Sequence, residues 1–145
     1  MNASTQAISI GAMSKISSVP VLFRSEFPSV IVDFSPWTMD EKTQQQYDPN
    51  SIDFAFSFLK WQPYLSCGCV LLQICFTEKF SDKNNDIYSV EVFGHGYQKQ
   101  WWKFSTITNW QFDGDSVPSD DCQQQLKHIC HQIHALFGQQ ASLLH

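Results

Sequence analysis

"SIDFAFSFLKW", residues 51–61, alternates without a break. Ile52, Phe54, Phe56 and Phe58 share one parity, and Asp53, Ala55, Ser57, Leu59 and Trp61 share the other. A period of two with phenylalanines in line is the pattern of a strand that rests one face on a core. Gln62-Pro63-Tyr64 supplies a turn, and "CGCVLLQICFTEKF" (67–80) reads as the next strand. Val70, Leu72, Ile74 and Phe76 form one of its faces, and Cys67, Cys69, Leu71, Gln73 and Cys75 form the other. Both faces are largely apolar, as in the middle of a covered sheet.

The same alternation recurs downstream. "IYSVEVFGHGY" (87–97) places Tyr88, Val90 and Val92 inward and Ser89, Glu91 and Phe93 outward, with Gly94-His95-Gly96 expected to turn the chain. "WWKFSTITNWQF" (101–112) reads as one more strand, ended by Asp113-Gly114-Asp115. Upstream, "FPSVIVDF" (27–34) has the β-branched content of a first strand. Segment 35–50 opens with Ser35-Pro36 and is expected to be a short helix or structured loop. Short connections favour antiparallel neighbours.

"DCQQQLKHICHQIHALF" (121–137) concentrates cysteine and histidine. At about 100° per residue, Cys122, Leu126, Ile129, Cys130, Ile133, Leu136 and Phe137 fall on one apolar stripe. His131 lies opposite, flanked by His128 and His134. One straight helix cannot converge such thiols and imidazoles on a single ion. Ser119 suits the N-cap and Asp120 and Asp121 suit the positive end of the helix. The expected fold class is therefore α+β: a four- to five-stranded antiparallel meander with a C-terminal amphipathic helix packed on one face. The expected limits are a flexible or weakly helical arm over 1–19, one domain over 20–140, and a short tail over 141–145.

The totals narrow the function. The 145 residues are 43% hydrophobic and 16% charged, with a formal net charge of -5. No two Lys/Arg are adjacent, which argues against nucleic acid and against a polybasic membrane contact. The longest apolar run, 69–76, is too short to span a bilayer. The first residues lack a basic leader, and the five cysteines are unevenly spaced. These features point to a cytoplasmic protein.

No reaction is named by a motif. In Cys67-Gly68-Cys69 the thiols would point the same way, about 7 Å apart, but the pair leads a strand rather than a metal-binding turn. His95 has no partner legible in sequence. "DGDSVPSDD" (113–121) places its glycine wrongly for a calcium loop. No catalytic residue, metal ligand or cofactor is assigned.

What remains is the outward parity of the sheet, where Leu59, Trp61, Leu71, Phe93, Trp101 and Ile107 stand, with Trp37 nearby. Large aromatics of this kind anchor partners. The expected binding residues are Trp61, Trp101, Leu59, Phe93, Ile107 and Trp37. The competing expectation is that the N-terminal segment or residues 36–47 fold over this face as a second core layer. In its glutamine clusters ("KTQQQY", "CQQQL"), its aromatic strands ("DFAFSFLKW", "QWWKFSTITNW") and its C-terminal helix, the chain resembles the small cyanobacterial assembly chaperones of the carboxysome shell. That resemblance implies a non-enzymatic helper in carbon dioxide fixation that holds a terminal peptide of a shell subunit. No functional position is carried over from it. The sequence reading is thus a non-enzymatic binding protein, expected as a homodimer, that holds an apolar or terminal peptide of a protein partner. The alternative is a small apolar-ligand-binding protein or enzyme with a cavity between sheet and helix.

Overall fold

The computed structural model describes residues 1–37, 48 and 50–138. The elements in chain order are α1 (Ala3–Gln6), α2 (Ile10–Glu26), β1 (Ile31–Asp33), β2 (Ser51–Gln62), β3 (Cys67–Phe76), β4 (Ile87–Gly96), β5 (Lys99–Ser105), β6 (Gln111–Gly114) and α3 (Asp120–Gly138). The strands form one antiparallel six-stranded meander in the order β1-β2-β3-β4-β5-β6. The chain is α+β, with an open sheet and a C-terminal helix. No helix among the described residues is long and apolar enough to cross a membrane.

The registers explain the inner face. Val32, Phe56, Val70, Gly94, Trp102 and Gly114 face one another across the whole sheet. A second row runs Phe54, Leu72, Val92, Phe104 and Phe112. Phe23 of α2 stacks on Phe56 with centroids 3.9 Å apart. Phe137 of α3 meets Phe76 edge-on at 5.4 Å. The stripe expected on α3 is the buried one: Cys122, Leu126, Ile129, Cys130, Ile133 and Phe137. Ser119 caps it, its Oγ accepting from the Cys122 amide at 3.3 Å.

Four departures from the sequence reading have physical causes. First, the expected boundary at 19/20 falls inside α2, and Ala3, Ala12, Ile16 and Val19 belong to the core. The arm is a packed helix because Ala12, Ile16, Val19, Pro20 and Phe23 share a face. Second, the strand expected over 101–112 is broken into β5 and β6, which raises the strand count. Asn109 and Trp110 adopt left-handed φ angles of 58° and 57° and turn the chain there. Third, Gly94 and Gly96 lie inside β4 rather than in a turn. A Cβ on Gly94 would stand 2.1 Å from the Trp102 ring, so the glycine makes room for the indole. Fourth, Tyr88 points outward at 60% exposure and Ser89 is buried. A register shift between Cys75 and Phe76 leaves Tyr88 without a cross-strand partner, while Ser89 keeps the outer parity opposite Cys75 and is buried there. β1 is shorter than the segment expected over 27–34. The helix or loop expected over 35–50 lies outside the described residues at 38–47 and 49, and the tail expected over 141–145 lies outside them entirely.

Candidate functional site

Beside a buried row of Ser51, Cys75 and Ser89, the outer face of the sheet carries three further rows. Ile31, Ser57, Cys69, His95 and Gln100 form the first. Asp33, Ala55, Leu71, Phe93, Lys103 and Asp113 form the second. Asp53, Gln73, Glu91, Ser105 and Gln111 form the third. The face is therefore mixed. Its apolar character is gathered at Leu71–Phe93 in the centre, and two further indoles meet at one end of the sheet, beside Gly96.

Those indoles are Trp61 and Trp101. Their rings meet edge to face, with centroids 5.4 Å apart and an interplanar angle of 77°. Gly96 permits the pair, because a Cβ there would lie 2.6 Å from Trp101 Nε1 and 2.9 Å from the Trp61 ring. The Lys99 ammonium stands 4.3 Å over the Trp101 ring. It also bonds the Asp115 carboxylate at 2.7 Å, which holds that carboxyl below its ordinary value. Leu59 follows the same parity as Trp61 and is 93% exposed.

A groove of about 460 Å³ lies across the centre, with Trp37, Leu71 and Phe93 as its apolar walls and Cys69 and His95 as its polar ones. Trp37 is fixed rather than free. Its backbone exchanges two hydrogen bonds with the Asn2 side chain, at 2.8 and 3.0 Å. Its indole N–H donates to buried Asp53, whose carboxylate also meets the Met1 ammonium at 3.0 Å. Phe93 is shared with a second groove of about 650 Å³ lined by Ile107, Lys103 and Asp113. Ile107 stands on the β5–β6 turn, half exposed. The structure thus joins Trp61 to Trp101, sets Trp37 opposite Phe93, and leaves Ile107 at the far end.

The thiols of Cys67 and Cys69 do not share a side. Four β2 residues, 58–61, face the single Gly68 between the pairs Ser57↔Cys69 and Gln62↔Cys67. That bulge sends Cys67 into the core and leaves Cys69 in the groove. Burial pushes the Cys67 thiol up to about 12. Cys69 is the cross-strand partner of His95, a pairing that the sequence conceals because it depends on register. Burial lowers the His95 pKa, so its imidazole is neutral near pH 7. On α3, His131 stacks on Trp110 at 4.3 Å, and His134 lies 6.0 Å from the same ring. Among the described residues no three His, Cys, Asp or Glu side chains gather as metal ligands would.

No curated protein and no solved structure matches the chain. A family model described as a domain of unknown function matches residues 4–139, and the chain belongs to that family.

Proposed function

We propose that the protein is a non-enzymatic binding protein that holds an apolar or terminal segment of a protein partner on the outer face of its sheet. The observation that carries this reading is the Trp61–Trp101 pair, 5.4 Å apart, at the open end of the sheet beside an almost fully exposed Leu59. Paired indoles offer large contact area at little conformational cost. The adjoining groove at Phe93 would take a further side chain, with Trp37 as its far wall and Ile107 at its limit. The resemblance to carboxysome shell chaperones would make that segment the terminus of a shell subunit, and the protein an assembly chaperone of the cytoplasm. A homodimer belongs to the same reading. Ile10, Met13 and Val21 form an exposed stripe along α2 that a second copy would cover. Light scattering at several concentrations tests it, and a constant monomer mass contradicts it.

The experiment is capture by the tagged protein from a lysate of the cells that encode it. Wild type should return one dominant protein. Trp61→Ala with Trp101→Ala should reduce its recovery by at least about tenfold while a cooperative unfolding transition remains, at a lower midpoint because Trp101 packs against the core. Recovery that survives both replacements overturns this surface.

One observation favours the alternative of a small-ligand site or enzyme, on the outer face rather than between sheet and helix. Cys69 and His95 face each other in a groove with apolar walls. Native mass spectrometry separates the readings: a retained small molecule supports the second, and a bare polypeptide mass supports the first.

A further inference from the structure

β2 is only partly used by its neighbours. β1 pairs with it over Ala55–Ser57 alone. On the other side, the register with β3 stops at Ser57 and resumes at Gln62. Among the described residues, Phe58, Leu59, Lys60 and Trp61 therefore have no cross-strand partner on either side, although their backbone is extended. Lys60 O accepts from the Gln62 side chain at 3.2 Å, and a strand run that its neighbours leave out of register is a template for another strand.

Ahead of β1 the chain turns through Phe27–Val30 instead of pairing further along β2, and Phe27 meets Phe58 edge-on at 6.4 Å. A groove of about 660 Å³ lies there, with Phe27, Phe58, Tyr64 and Leu65 as its apolar lining. Its charged lining residues are Glu26 and Asp121. Gln125 Nε2 donates to Glu26 at 3.4 Å, and Asp120 and Asp121 occupy the first turn of α3, so this end of the groove is acidic. Lys60, on the open edge, is exposed to solvent and is not part of the lining.

We infer that β2 residues 58–61 are a strand-addition edge. They take an extended segment of the protein partner that is apolar at every second residue and carries Lys or Arg where it passes Glu26 and Asp121. This inference rests on the binding reading above and specifies its mode. An added strand lies along the line of β1, and its side chains alternate between two faces. One set enters the groove beside Phe58 and Leu65. The other set meets Leu59 and Trp61 on the outer face. Main-chain bonds supply affinity that does not depend on sequence, and the groove and its acids supply selection. This explains how Leu59 and the Trp61–Trp101 pair serve one partner together with a groove on the other side of the strand.

The test uses the full chain and a short synthetic peptide of alternating valine and threonine with two arginines at one end. Backbone hydrogen exchange is read residue by residue by NMR. The free protein should exchange rapidly at Phe58–Trp61. Saturating peptide should slow alternate amides of that run by at least about tenfold. A peptide ending in two glutamates should bind at least about tenfold more weakly, and Glu26→Gln with Asp121→Asn should erase that difference. N-methylation of alternate peptide nitrogens should abolish the protection.

No binding of the arginine peptide overturns the inference, as does binding that protects only amides around Leu71 and Phe93. In either case the Trp61 and Trp101 capture experiment still decides the binding reading by itself. Slow exchange at residues 58–61 in the free protein, rising with its concentration, means that a second copy holds the edge, and this too overturns the inference.

Discussion

At Gly94 the packing leaves no room for a methyl group. The Trp102 indole fills the place of the missing Cβ, and its N–H donates to the Leu65 carbonyl at 2.6 Å. Gly94→Ala should therefore cost about 3 kcal/mol, read as a lower urea midpoint with an unchanged slope. An unaltered midpoint would mean that the indole moves freely. Glycine flanking His95 reads in sequence as turn chemistry, because its more frequent use is at positive φ. Only the cross-strand register shows that it serves a ring. Cysteine reactivity follows the same logic of placement. Burial raises Cys67 and Cys130 to about 12 and Cys75 to about 11, and Cys122 is also buried. Cys69 is the exception, lying in the groove. Brief treatment of the native protein with iodoacetamide should modify Cys69 first, as peptide mapping would show. Equal labelling of all five thiols would contradict the burial.

Among the elements, α3 and β2 are legible from the sequence because each has a clean period and marked ends. α2 is not. Its buried set of Ala12, Ile16, Val19 and Phe23 is blurred by Ile10, Met13 and Val21, which are equally apolar and exposed, and Pro20 looks like a boundary. Its role has a direct consequence. Deleting residues 1–19 removes Ala12, Ile16 and Val19 from the core, and the remainder should lose its cooperative thermal transition. A dispensable arm would leave that transition intact. The β5–β6 turn is the other element hidden from alternation. Trp110 accepts a left-handed backbone, which is rare for a bulky residue, while its ring stacks on His131 and meets Phe104 edge-on at 5.8 Å. Beside it, His134 is held below its ordinary value of 6.5, first by burial and then by His131. The unfolded chain therefore takes up the proton first. Stability is complete above about pH 6.5 and is lost as pH falls through 6.5 toward the lowered folded value. His134→Leu should flatten that loss in urea midpoints measured across the interval, and an unchanged profile would place the titration elsewhere.

For the molecule as a whole, α2 and α3 bury one face of the sheet, while the other is partly exposed at its centre and closed over Asp53 by Met1 and Trp37. The sequence marks which residues lie outward on β2 and β5 but not which of them meet. Trp61 and Trp101 come together through the β2 bulge and Gly96, and Cys69 meets His95 through register. Trp37, isolated in sequence, is tied down by Asn2 and Asp53. Such long-range pairings carry no local signature, so composition alone suggests an apolar face where the structure has two apolar foci set among polar rows. The account rests on the Leu59–Trp61–Trp101 end being where the partner sits. A photo-crosslinking side chain placed at Leu59, with control placements at Lys127 on α3 and Tyr88 on β4, tests this inside the cell. The account predicts one dominant adduct from position 59, mapping to one extended segment of one protein, and little from either control. Equal yields at the three positions, or none at 59, would contradict it.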